Sequence, residues 1–329
     1  MSDACFSGYL KDEKILRSSS GGFAAGLMDV ALSRNAIVYG VSYADGYRSL
    51  IWKRITDSSQ IASLQGSKYV KSPCRLENGQ HVFASVAQDL QMSRHVFLVG
   101  LPCEVGALLH YLQKRGISSE NLLTADLICQ GAGRPELLND YIEYLEKKNR
   151  SNIREFCLRF KNPDWKHSAV KAVFENRSVF LKPLVKTKFW RLSCLLPMPA
   201  CFHCNFKGDR HCSDLTLGDH WGIQPEDETY HPAGVSLAIV HTSKGLSALY
   251  SMENAFIRKT DSEKALKHNP HYSVSVHMDR EKQRVLRLYQ KHGFLYAYYR
   301  RKTLAGIRES IARHTLRLFR KLQNHIKFK

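Results

Sequence analysis

The chain has 329 residues, 43% of them hydrophobic, with nine cysteines and 49 Lys and Arg against 30 Asp and Glu. That hydrophobic share excludes disorder for the chain as a whole, and the length fits about two domains. No run of about 18 apolar residues is present to span a bilayer, and no basic-then-apolar leader marks the start for secretion, so the expected setting is cytoplasmic. In such a reducing compartment, cysteines are expected as metal ligands or redox groups rather than disulfides.

In chain order, LRSSSGGFAAGLMDVALSR predicts a serine-capped helix from near Gly22 to Arg34. Strands are expected at 36–43 and 50–55, a short helix at 59–64, and turn formers Ser72, Pro73, Asn78 and Gly79 place a boundary near residue 80. A helix at 82–90 leads to the apolar run HVFLVG, a helix at 104–114, the apolar run LLTADLIC, and a helix at 135–148. Strand–helix–strand–helix order is the mark of a parallel sheet with crossover helices. Beyond residue 150, IREFCLRF, SAVKAVFE and SVFLKPL read as short strands, the last two joined by an Asn176-Arg177 turn. After them come the cysteine-bearing run CFHCNFKGDRHCSDLTLGDHWG and a buried strand, GVSLAIVH. The expected fold is therefore α/β: a partly parallel sheet with crossover helices, an added β-rich cysteine-bearing section, and a helical basic C-terminal tail. The expected divisions are 1–80, 81–255 and 256–329.

The tail concentrates the charge: from Glu281 onward, 14 Lys and Arg face two acids, supplying +12 of the net +19. Leu304, Ile307, Ile311, Leu318, Leu322 and Ile326 recur there at helical intervals. Three readings compete: a helix docked on the body, a surface helix touching anionic lipid at the inner membrane face, and a nucleic-acid-binding arm. No recognition motif accompanies it, so no specific nucleic acid is expected.

Cys103 and Cys129 each follow an apolar run, 26 residues apart, as one strand–helix–strand unit requires. Adjacent parallel strands lie roughly 4.8 Å apart, so both sulfurs would emerge at the strand ends, where open α/β sheets hold ligands. A helix N-terminus beside Cys103 would favour its thiolate. Cys201-Phe202-His203-Cys204 has the spacing that chelates one metal centre. It is compatible with zinc, completed by Cys212, His203 and His211, with a redox disulfide, or with an iron–sulfur cluster. Two thiols at the sheet edge plus two in the loop favour Cys103, Cys129, Cys201 and Cys204 around one 4Fe–4S cluster, with Cys194 and Cys212 in reserve. Cys5, Cys74 and Cys157 have no partner at ligand spacing.

Two loops carry a second signal. Ser18-Ser19-Ser20-Gly21-Gly22 precedes a helix, where backbone N–H groups attract phosphate. Gly66-Ser67-Lys68-Tyr69 offers a hydroxyl, an ammonium and an aromatic ring. Together they suit a dinucleotide such as FAD, with the lysine near a phosphate or an anionic ring, although a capped helix and an ordinary turn account for either loop alone.

The ordered set RSSSGG, GSKYVKS, GLPCEVGAL, DLICQG, CFHCNFK and DLTLGDHWG resembles the beta-subunit family of coenzyme F420 hydrogenases and dehydrogenases over roughly residues 5–245. The resemblance implies FAD and a 4Fe–4S cluster: flavin takes a hydride from a deazaflavin-type donor and the cluster passes electrons singly to another protein. It matches Ser19, Ser20, Gly21 and Gly22, and Gly66, Ser67, Lys68 and Tyr69, to flavin-region motifs. Cys103, Cys129, Cys201 and Cys204 fall on the cluster motifs, and Asp214, Gly218, Asp219 and Trp221 on the segment after the cluster loop, with Asp219 expected to shape the flavin site. It also implies oxidoreductase activity, with polysaccharide synthesis as one setting. The repeated CxxCxxC module often seen at the family's N-terminus is missing here, so a separate ferredoxin-like partner is expected. Gln130 stands where histidine usually follows the cysteine, and an amide cannot titrate in its place.

Overall fold

A computed structural model describes residues 4–301, which fall into two compact units divided after His277. The first unit is built on one eight-stranded sheet and a small three-stranded one. The strands are β1 (Ala4–Leu10), β2 (Ile37–Ala44), β3 (Ser49–Ile55), β4 (Val96–Val99), β5 (Leu122–Leu127), β6 (Ile153–Phe160), β7 (Ala169–Phe174), β8 (Val179–Pro183), β9 (Leu215–Asp219), β10 (Ser236–Val240) and β11 (Ala255–Thr260). The large sheet runs β11-β1-β10-β9-β5-β4-β2-β3, and the small one β6-β7-β8. Strands from both sides of residue 80 are thus hydrogen-bonded into a single sheet.

At the centre β2, β4, β5 and β9 are parallel, while β3, β10, β1 and β11 add antiparallel edges. The four residues of β4 alternate between two cores. Val96 and Leu98 pack with the helices Val82–Gln91 and Pro102–Lys114, and Phe97 and Val99 with Phe23–Ser33 and Ser243–Tyr250. A strand covered on both faces reads as an unbroken apolar run, which is why HVFLVG carries no alternation. The predicted helices and strands of residues 36–183 appear within a few residues of their expected limits. Three strands, β1, β9 and the edge strand β11, were not foreseen. The polar SDACFSGYL and the charged AFIRKT lack the apolar runs of central strands.

One cap differs from expectation. The helix at Phe23 begins at Gly22 in a left-handed conformation (φ 95°) with no serine side chain capping it. Ser18 bonds instead to the Lys14 carbonyl and Ser20 to that of Val235, while Ser236 on β10 accepts weakly from Phe23 N at 3.4 Å.

The second unit, as described, contains the helix Arg280–Arg300, capped by Asp279 through Lys282 N at 2.8 Å and kinked at Gly293. The apolar series from Leu304 to Ile326 lies outside the described residues. No helix among the described residues is long and apolar enough to cross a membrane.

Candidate functional site

β4 and β5 pair in parallel, Val99 opposite Ala125, so the loops leaving them emerge at the same sheet edge. From β4 the chain passes Gly100 and Leu101 into the helix Pro102–Lys114, placing Cys103 in its first turn. β5 stops at Leu127, and Ile128 still bonds to Leu217 on β9 before Cys129 turns away. Gly131 N–H donates to Cys129 Sγ at 3.4 Å.

The CxxC loop, 100 residues from the β4 end, is fastened to both positions. Lys207 is buried, and its ammonium donates to the carbonyls of Cys129 and, at 2.6 Å, of His271. Phe206 lies over Gly106 of the Cys103 helix so closely that a methyl there would stand 2.8 Å from Cζ. Upstream of the loop, Met198 N bonds to Ala132 O at 2.8 Å and Pro197 bridges to Gly133. The four thiols consequently share one electrostatic neighbourhood. Burial pushes Cys103 up to about 12, with Lys71 opposing and Glu104, Cys129 and Cys201 adding. Cys129 is pushed up to about 11 by burial, against Gly131 and Lys207, with Cys201 and Cys204 adding. Neither Cys194 nor Cys212, both exposed, figures among these charges.

Cys103 therefore departs from the thiolate expected at a helix start. The residue is exposed by surface area, yet the protein packed around its sulfur and the neighbouring acid outweigh Lys71. Among the described residues no three His, Cys, Asp or Glu side chains are grouped closely enough to hold a metal ion, so the thiols gather without closing into a ligand cage. The local zinc alternative does not form either. The His211 side chain is 2% exposed, bonded through Nδ1 to Asp126 at 2.8 Å and stacked on Tyr272, while Cys212 is exposed. Four soft sulfur donors from three segments, in reach of one another's charge, fit an iron–sulfur centre better than a carboxylate-bound cation.

The two glycine-containing loops also meet. Ser19 Oγ and Ser67 Oγ lie 2.8 Å apart, and Ser67 N–H donates to Ser19 Oγ at 2.9 Å. Gly21 is packed against backbone, and a methyl on it would stand 2.5 Å from Ser236 N. Lys68, however, is turned inward. Its buried ammonium donates to the carbonyls of Leu64, Gln65 and Gly66 at 2.8, 3.0 and 3.0 Å, and burial lowers it to about 7. The role expected of it, an ammonium facing an anionic ligand, is replaced by that of a pin closing its own loop. Gly66 and Tyr69 both take left-handed backbone conformations there (φ 81° and 59°). Asp219, at the end of β9, is likewise engaged: Arg159 Nη1 donates to its Oδ2 at 2.7 Å. Asp214 serves the sheet, accepting from Thr124 N–H and Thr242 Oγ1.

The loop GSKYVKS joins the two neighbourhoods. Ser67 touches Ser19, whereas Lys71 pairs with Glu104 beside Cys103, and Ser72 Oγ donates to the same carboxylate at 3.1 Å. Glu104 also accepts from Leu101 N at 2.8 Å, so one buried carboxylate caps the Cys103 helix and anchors this loop. Sequence reasoning missed Glu104, Lys207 and Phe206, which sat inside the recognised motifs, and Arg159, which sat outside them. A 490 Å³ groove lined by His81, Phe83, Ala107, His110 and Tyr111 touches none of these groups. A 260 Å³ cleft lined by Lys14, Arg17, Ser58, Ser59 and Gln65 adjoins the serine loop through Gln65, which bonds Ser18 Oγ at 2.9 Å.

No curated protein matches the sequence. Among solved structures, a chain of the xenon-derivatised F420-reducing NiFe hydrogenase complex from Methanosarcina barkeri is similar in fold. The TM-score is 0.54 at 16% identity, over 87% of this chain and 92% of that one. Residues 93–265, just over half of the chain, match the family described as the C-terminal region of the coenzyme F420 hydrogenase/dehydrogenase beta subunit. That span holds all four candidate cluster cysteines, and the chain belongs to this family of oxidoreductase subunits.

Proposed function

We propose that the protein is an iron–sulfur flavoprotein that passes electrons between a hydride donor or reduced carrier and a partner protein. Cys103, Cys129, Cys201 and Cys204 would hold a 4Fe–4S cluster. The loops Ser19–Gly22 and Gly66–Tyr69 would hold FAD. When bound, the flavin supplies two-electron chemistry and the cluster one-electron transfer. The chain's own part is to bring both sites together, keep water from them and fix their surroundings.

The observation that carries this reading is the single loop shared by the two sites. Between Ser67, bonded to Ser19, and Lys71, paired with Glu104 next to Cys103, the backbone spans at most about 15 Å. Groups placed at its two ends are neighbours whatever the rest of the fold does. The raised thiols of Cys103 and Cys129 hold protons until metal displaces them, so loading releases protons and proceeds more readily as pH rises. A ferredoxin-like protein is the one-electron partner that this reading calls for.

The test is anaerobic purification followed by visible spectroscopy with iron, sulfide and flavin analysis. A brown protein with about four iron, about four sulfide and one FAD per chain is expected. A colourless protein with a single zinc, or with iron but no flavin affinity, would contradict the respective half of the reading.

A further inference from the structure

Two lysines stand beside the candidate cluster thiols, and they differ in what balances their charge. Lys71, next to Cys103, is ion-paired with the Glu104 carboxylate. Lys207, next to Cys129, has no such partner. It is buried, and its ammonium donates to two neutral carbonyls, those of Cys129 and, at 2.6 Å, of His271. Among the described residues no carboxylate is within ion-pairing reach of it, and one of its three N–H donors is unspent. Lys68 and Lys161, by contrast, each spend all three donors on carbonyls.

The ammonium is kept dry by a segment that follows the family-matched region. Asn269 is buried and fixed by Nδ2 bonds to the carbonyls of Asp219 and Ala265, both at 3.1 Å. From there the chain crosses the cysteine loop. Tyr272 stacks on His211 with ring centres 4.9 Å apart, and Ser275 Oγ donates to the Cys204 carbonyl at 3.4 Å. Val276 closes on the Cys129 turn, both its methyl carbons 3.5 Å from where a Cβ on Gly131 would stand. Burial, and after it the Lys207 charge, lowers the His271 imidazole from its ordinary value, so that ring is neutral at pH 7.

A buried ammonium held by carbonyls alone has given up water for less than an ion pair returns. Such a charge belongs where an anion completes it. The Cys129 sulfur is a few bonds from the carbonyl that Lys207 holds, so sulfur and ammonium are at most roughly 8 Å apart. The lysine charge already opposes the raised thiol of Cys129. Four thiolates around a 4Fe–4S core make an anion, and reduction makes it more negative still.

We propose that the Lys207 ammonium is the counter-charge of the cluster site, balancing the anionic four-thiolate cluster and raising the potential at which it takes up an electron. This rests on the cluster reading above. A cluster so balanced is easier to reduce, which favours electron flow toward it from the flavin.

The test is a redox titration of the anaerobically reconstituted full chain, followed by electron paramagnetic resonance and with iron measured per chain. It compares wild type, Lys207→Gln, Lys207→Met and Lys207→Arg. The glutamine keeps a donor for the carbonyls without the charge, the methionine keeps neither, and the arginine keeps both. At roughly 8 Å and an effective dielectric constant of about 20, one unit charge shifts the reduction equilibrium by more than about tenfold. Tenfold is about 59 mV for one electron. Lys207→Gln and Lys207→Met should therefore both be reduced at a potential lower by at least about 59 mV, while Lys207→Arg stays close to wild type. A lysine that merely ties two loops together would have its function restored by glutamine. Wild-type potential in Lys207→Gln, or an equal drop in Lys207→Arg, overturns the proposal while leaving the cluster reading intact. Should the neutral variants fail to hold iron, full iron in Lys207→Arg supports the counter-charge, and iron lost from all three overturns it. A wild-type chain that binds no iron–sulfur cluster overturns both readings.

Discussion

Gly106 offers a direct probe of how the CxxC loop is seated. It lies one turn after Cys103 in the helix Pro102–Lys114, and Phe206, two residues after Cys204, occupies the space a side chain would need. A methyl at Gly106 would stand 2.8 Å from Phe206 Cζ, against an ordinary carbon–carbon contact of about 3.5–4.0 Å. Phe206 Cε1 lies nearer still, so the ring must retreat by more than about 1 Å. Two energies oppose each other. Replacing a helical glycine by alanine gains about 1 kcal/mol of backbone entropy, and overpacking costs about 1–3 kcal/mol. The net effect on folding is small, a loss of about 0–2 kcal/mol. The effect on the site is not small, because the displaced ring carries Cys204 with it, and a metal centre tolerates ligand errors of only about 0.2 Å. Gly106→Ala should thus melt within a few degrees of wild type yet lose most of its iron after anaerobic reconstitution. Gly106→Ala/Phe206→Leu, with a smaller side chain in the same place, should recover part of it. Full iron and an unchanged visible spectrum in Gly106→Ala would refute the proposed seating of the loop.

Other outcomes follow from the same contacts. Gly21→Ala drives a methyl into the Gly8 carbonyl oxygen and to 2.5 Å from the Ser236 backbone nitrogen, and neither neighbour is a side chain that can swing away. It should therefore lower the melting temperature by at least about 5 °C, read by circular dichroism. Ser67→Ala breaks the link to Ser19 and should weaken FAD binding about fivefold with little change in stability, read by fluorescence titration. Lys68, lowered from 10.5 to about 7 by burial, binds its proton more weakly folded than unfolded. Between pH 7 and 10.5 the unfolded chain holds the extra proton, so Lys68 makes stability rise with pH across that window. Its slope is at most about 1.4 kcal/mol per pH unit and falls to zero outside the window, the cost of the buried charge being full below it and absent above it. Urea titrations at several pH values should show wild type gaining on Lys68→Met over this range. A difference independent of pH would contradict the burial argument.

What could be read in the sequence was what repeats or alternates. HVFLVG and LLTADLIC announced two buried parallel strands, and their pairing follows from the helix between them. Cys103 and Cys129 at one sheet edge were legible for that reason. Contacts between distant side chains were not. Lys68 looks like a ligand for an anion in GSKY, and only the fold shows that the loop wraps its carbonyls around the ammonium. Arg159 is one of many arginines in the sequence. Its place appears only when β6 is laid against Asp219, 60 residues away in sequence. The seating of the CxxC loop likewise depends on Phe206 meeting the one position in the Cys103 helix without a side chain, a pairing no periodicity announces.

The central claim is that sulfurs from three separated segments serve one cluster. Its most direct measurement is iron and acid-labile sulfide per chain, with the reduced protein's electron paramagnetic resonance signal, in six single Cys→Ser variants prepared anaerobically. Replacing Cys103, Cys129, Cys201 or Cys204 should each abolish the 4Fe–4S signal, while replacing Cys194 or Cys212 should leave it intact. A full complement of iron and an unaltered signal in Cys103→Ser or Cys129→Ser would contradict the claim.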